Sequence, residues 1–130
     1  MGRKTIVILL LLALLLSSCS HQPHFRQPAE DIVQIALIDY SASEDGILCT
    51  LVDAEIALFM NDLQELECRK RLQPIGDFSD LEIRIYYLNG DVDILGSMAD
   101  GYIEQGELHI NGWYYYNEEA LRELFSKYMG

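Results

Sequence analysis

Basic residues are scarce in this chain: 9 Lys plus Arg stand against 21 Asp plus Glu, a formal net charge of −12. A body of that sign repels nucleic acid and the anionic face of a bilayer, so nucleic acid is not expected as a partner. Cysteine is scarcer still. Three widely separated thiols exclude a zinc-type cysteine pair and a dense disulfide framework. The sequence also lacks a metalloprotease helix, a nucleophile elbow and a phosphate loop, so no cofactor or metal is expected. Only three prolines and nine glycines occur in 130 residues, and there is no internal repeat longer than a hairpin. Length and composition therefore point to one ordinary domain.

The single long hydrophobic run lies at the front, where Ile6 to Leu16 follow Arg3 and Lys4. As a helix it covers roughly 17 Å, short of the ~30 Å hydrocarbon core, so it suits a targeting segment better than a lasting membrane span. Leu16-Ser17-Ser18-Cys19 then sets an aliphatic residue and two small ones before a cysteine. This tetrapeptide resembles the lipobox of bacterial lipoproteins. The resemblance implies a signal peptide over residues 1–18, cleavage between Ser18 and Cys19, and acyl chains on the Cys19 sulfur. It further implies an extracytoplasmic domain held to a membrane through that lipid, with inner or outer membrane left open. Two or three acyl chains anchor stably where one is reversible. Loss of Arg3 and Lys4 on cleavage takes the mature chain to −14.

Residues 20–29 (SHQPHFRQPA) show no apolar period and read, with Cys19 and Glu30, as a flexible tether over 19–30 with a reach of roughly 18 Å. His21 and His24 in that stretch read as solvated rather than metal-ligating. The folded domain is expected over 31–130.

Within it, alternation places Val33, Ile35 and Leu37 on one side of a strand, and SASEDG turns into a second strand over Ile47 to Leu51. Apolar spacing at Ile56, Phe59, Met60, Leu63 and Leu66 predicts a helix from Asp53 to about Arg69, with Arg69, Lys70 and Arg71 complementing its C-terminal dipole. Leu81, Ile83, Ile85 and Tyr87 alternate with Glu82, Arg84 and Tyr86. A two-residue Asn89-Gly90 turn then sets Tyr87 opposite Val92 and Ile85 opposite Ile94, with Asp91 and Asp93 on the wet face. A further hairpin turns at Gln105-Gly106, Trp113 to Tyr116 form a strand, and Asn117 caps a last helix bearing Leu121, Leu124, Phe125 and Tyr128. The expectation is an α+β fold, an antiparallel sheet of about five to six strands with two helices packed on one face. The Asn111-Gly112-Trp113-Tyr114-Tyr115 run leading into that helix is similar to small exported lipoproteins of Gram-positive bacteria. That likeness covers Asn111 to Tyr128 and implies no activity.

Of eight tyrosines, six crowd with the one tryptophan into Tyr86-Tyr87, Tyr102 and Trp113 to Tyr116. In a strand, Trp113 and Tyr115 point opposite to Tyr114 and Tyr116, so one pair is exposed if only one face is covered. The candidate binding face is therefore Tyr86, Tyr114 and Tyr116, suited to stacking on a glycan or packing against an envelope protein. The leading expectation is a non-enzymatic binding or accessory module of the cell envelope, without assigned catalytic residues. The alternatives are a small hydrolase using Cys68 or Cys49 with His109, and an envelope spacer with no specific ligand. Separation along the helix argues that Cys49 and Cys68 are free, with a bridge possible only if the strand bends back.

Overall fold

The computed structural model describes residues 23–42, 45–77 and 79–129, so the expected signal peptide over residues 1–18 and the expected lipidation site Cys19 lie outside the described residues. Eight strands and two helices follow in order: β1 (Ile32–Asp39), β2 (Ile47–Leu51), α1 (Ala54–Gln64), β3 (Cys68–Lys70), β4 (Leu81–Tyr87), β5 (Val92–Gly96), β6 (Gly101–Glu104), β7 (Glu107–Ile110), β8 (Tyr114–Tyr116) and α2 (Glu118–Ser126). Six strands make one sheet in the order β2-β1-β4-β5-β6-β7, and β3 pairs with β8 in a separate ribbon. Every pairing is antiparallel. The fold is α+β, as its alternating strands and amphipathic helices foretell.

The core lies on one face of the large sheet. Ile35 and Leu37 of β1, Ile83 and Ile85 of β4 and Leu95 of β5 meet Phe59 and Leu63 of α1 and Leu121, Leu124 and Phe125 of α2. Asn117 caps α2, its Oδ1 accepting from the Ala120 amide at 3.1 Å. Gln105 and Gly106 both take positive φ between the paired Glu104 and Glu107, a two-residue hairpin turn as expected.

Four local expectations change. Val33 is exposed because the β1–β4 register slips between Ile32 and Gln34, a bulge that makes Ile32, rather than Val33, the buried neighbour of Ile35. The β4–β5 turn holds one residue more than expected: the Tyr87 amide donates to Asp91 O, the Gly90 amide donates to Tyr87 O, and Gly90 takes φ +95. That shift pairs Tyr86 with Val92 and Ile85 with Asp93, so Asp93 turns to the core face and is buried instead of wet. The helix stops at Gln64, well short of Arg69, because Cys68 to Lys70 gain strand partners in Tyr116 to Tyr114 and Cys68 gains burial there. Helix spacing loses to that long-range pairing, and the basic triplet starts a ribbon rather than ending a helix.

The fourth change concerns the tether. From Pro23 onward the segment is packed on the sheet. Helices cover the β1, β2 and β4 part of the core face, and residues 23–27 lie across its β5–β6 part, where the Arg26 amide donates to Asp93 Oδ2 at 2.9 Å. The Arg26 guanidinium stacks 4.1 Å from the Tyr102 ring centre and reaches Glu104 at 2.7 Å, while Gln27 Nε2 donates to Asp91. The stretch that reads as a solvated linker is a strap, because its guanidinium finds the carboxylates of Glu104 and Asp91 and an aromatic face while its amide takes Asp93.

Candidate functional site

The three tyrosines of the expected face do not come together. Tyr86 lies on the sheet face opposite the helices, half-buried. Tyr114 and Tyr116 belong to the separate β3–β8 ribbon, and Tyr116 is 3% exposed within the core cluster. Trp113 is the exposed residue of the run, whereas Tyr115, like Tyr114, is half-buried. Trp113 is 37% exposed, and Tyr115 lies under the Arg71 guanidinium at 4.3 Å. A strand pattern shows which residues share a side but not which side the core takes, and β8 presents Tyr116 inward beside Cys68.

Cys49 and Cys68 are both free. Cys68 is buried in β3, and burial pushes its thiol up to about 11 despite the Tyr116 hydroxyl beside it. Burial likewise raises Cys49, with Glu55 adding to it. These shifts run opposite to the activation of a nucleophilic thiol. His109 is exposed on β7, stacked on Tyr102 with ring centres 4.7 Å apart and with Glu107 Oε2 3.8 Å from its Nε2. Among the described residues no group of three His, Cys, Asp or Glu could hold a metal ion.

The polar arrangement the sequence pattern missed lies on the helix-free face. Alternation puts Glu82, Arg84 and Tyr86 there and marks them as solvated. Glu82 is instead 1% exposed. Its Oε1 accepts from Arg84 Nε at 2.6 Å, and Arg84 Nη2 donates to the Tyr40 hydroxyl at 3.4 Å. Burial and the Glu82 charge both raise Tyr40, which keeps it a neutral phenol. Glu82 Oε2 has no hydrogen-bond partner among the described residues. It borders a cavity of about 10 Å³ shared with Asp77, Ser79 and Ile94, room for a single water to satisfy that oxygen. An Arg pinned on two sides loses little rotamer freedom when a ligand takes its remaining donors, so the guanidinium fork is pre-set for an acceptor group. The signal available beforehand was the Glu82/Arg84 spacing, which places opposite charges two apart on one strand face; their burial depends on neighbours from β1 and β5.

A second cluster occupies the ribbon. Lys70 Nζ lies 5.7 Å from the Trp113 ring centre and 5.9 Å from that of Tyr114. Arg71 donates from Nε and Nη2 to Met98 O at 3.0 and 2.9 Å. Asp100 Oδ1 accepts the amides of Trp113 and Tyr114, fixing the turn into β8. Gly112 allows that turn: it takes φ +74, and a side chain there would collide with the Ile75 backbone.

No protein-family model, curated protein or solved structure matches the chain. The geometry thus stands on its own chemistry.

Proposed function

We propose that this protein is a lipid-anchored, extracytoplasmic binding or accessory module of the cell envelope, attached through Cys19 and presenting its helix-free sheet face to an envelope protein or glycan. The observation that carries the binding role is Arg84, held by buried Glu82 and by Tyr40 beside the half-buried Tyr86. Such a fork recognises a carboxylate, phosphate or sugar oxygen, while Tyr86 and Tyr40 supply flat apolar area next to it. The location rests on Leu16-Ser17-Ser18-Cys19 after the short apolar run.

Mass analysis of the native product tests the anchor: a chain beginning at an acylated Cys19 supports it, and a retained Met1 or an unmodified thiol sinks it. A photo-crosslinking residue at Tyr86, compared in cells with the same residue at exposed Leu58 on α1, tests the face. Adducts at position 86 alone support the assignment, and equal or no adducts at 86 count against it. Arg84→Lys keeps the charge but loses the fork, and is expected to lower the adduct yield roughly 10-fold, the worth of one good charge-assisted pair.

A further inference from the structure

Basic side chains are few among the described residues, and they cluster at one place. Of the seven Lys and Arg among the described residues, three are consecutive at Arg69, Lys70 and Arg71. Around them the surface is not merely charged. Leu72, next in the chain, is 98% exposed, and Met98 and Trp113 are also exposed beside Arg71 and Lys70. An aliphatic residue standing free between cations and a tryptophan is unfavourable in water and costs nothing at a lipid interface. There the ring sits at headgroup level, the apolar side chain enters the acyl boundary, and the cations meet lipid phosphates.

A second and independent observation is where the chain leaves the described structure. Pro23 and Phe25 line a cleft with Asp100, Gly101 and Asn111. Asp100 is the residue that caps the Trp113 and Tyr114 amides. The N-terminal strap therefore emerges beside the cationic ribbon. Four peptide steps separate Pro23 from Cys19, which span at most about 14 Å when fully extended.

We infer that the β3–β8 ribbon, through Lys70, Leu72 and Trp113, is a membrane-docking face that rests on anionic lipid headgroups and fixes the orientation of the anchored domain. This rests on the lipid-anchor reading of Cys19. The ion screen favours it: the acidic remainder of the body is repelled by the same surface, so the domain turns its one basic patch to the bilayer and the rest away within a Debye length of about 8 to 10 Å.

Trp113 is the sole tryptophan of the sequence, so its fluorescence reports this face without labelling. Native lipidated protein is reconstituted into vesicles of phosphatidylcholine alone or with phosphatidylglycerol, each carrying a brominated acyl chain as a shallow quencher. The expected result is a blue-shifted Trp113, quenched by the bromolipid and shielded from iodide in the phosphatidylglycerol vesicles. Arg69→Gln with Lys70→Gln is expected to weaken that docking roughly 20-fold, and raised salt to weaken it further. Leu72→Ser, fully exposed and so without effect on folding, is expected to reduce quenching as well. If Cys19 is acylated but Trp113 stays unquenched and open to iodide, the docking face is overturned while the anchor stands. If Cys19 is unacylated, the anchor falls; quenching on adding vesicles to that protein would still support the ribbon, and its absence would overturn both. A Trp113 shift produced by soluble glycan strands without vesicles would make the ribbon a glycan platform and overturn the bilayer assignment.

Discussion

The core face of the large sheet is covered in two different ways. Over β1, β2 and β4, two helices bring Phe59, Leu63, Leu121 and Phe125 onto an apolar floor edged by Asp39, which pairs with Arg122 of α2. Over β5 and β6, where that floor turns to Asp93, Tyr102 and Glu104, five residues of irregular chain suffice, held by one guanidinium and its backbone amide. Apolar surface demands volume, which a helix face supplies. A polar strip demands partners in number, which an extended segment with free amides and an Arg can supply without a core. The two halves should therefore fail differently.

Phe125→Ala attacks the first half and is expected to cost about 3 to 5 kcal/mol, since the ring is fully buried and leaves a cavity between α2 and β4. Urea unfolding should show a lower midpoint with all probes moving together. Arg26→Ala attacks the second half and is expected to cost only about 1 to 2 kcal/mol, because Glu104 is exposed and the pair is screened. Its signature is local: amides of β6 and β7 should exchange faster, and proteases should cut near Pro28, while the helices keep their protection. A uniform loss of protection across both halves would erase the distinction.

The halves also carry opposite acid responses. In the helix half, the Ser41 hydroxyl hydrogen bond, outweighing burial and assisted by Arg122, holds the Asp39 carboxyl below its usual range. Its stabilisation is present above the unfolded value near 4 and is lost as pH falls through the lower folded value. In the strap half, burial outweighs the Tyr87 and Arg26 hydrogen bonds and raises Asp93. The stability linked to its proton is present below the unfolded value and is lost as pH rises through the folded one. Asp39→Asn is thus expected to flatten the fall of stability below about pH 4, whereas Asp93→Asn should be at least as stable as the native protein at pH 7. Thermal unfolding followed from pH 2.5 to 7 checks both signs. The smallest effect belongs to Leu72→Ser, within about 0.5 kcal/mol, since its side chain packs on nothing in the domain.

The elements legible beforehand were those whose signals are local. The α2 cap at Asn117, the Gln105-Gly106 turn and the alternation of β4 depend on residues a few positions apart, and they stand in the structure. The β4–β5 register was misread by one position because Asn89-Gly90 serves a two-residue or a three-residue turn equally well, and only the fit of Leu95 against Ile83 chooses between them. The binding face was misjudged at Tyr116 for a related reason. Its side of the strand follows from β3 arriving as a partner, and nothing near Tyr116 in the chain announces that.

Arg26 and Glu82 show the limit most sharply. Arg26 lies in a polar stretch and Glu82 on the polar side of an alternating strand, so each reads as solvated, yet Arg26 meets Glu104 and Tyr102, and Glu82 is enclosed between its register neighbours Ile38 of β1 and Gly96 of β5. Residue order alone settled the α+β class, the apolar stripe of α2, the Gln105-Gly106 turn and the sign of the body's charge, because these follow from periodicity and side-chain chemistry over short spans. Which side of each strand is dry, where the basic triplet stands and whether residues 23–27 hang free or clasp the sheet were settled by tertiary structure. The reason is that burial and ion pairing are properties of segments far apart in the chain, and they take effect only once folding has brought those segments within contact distance.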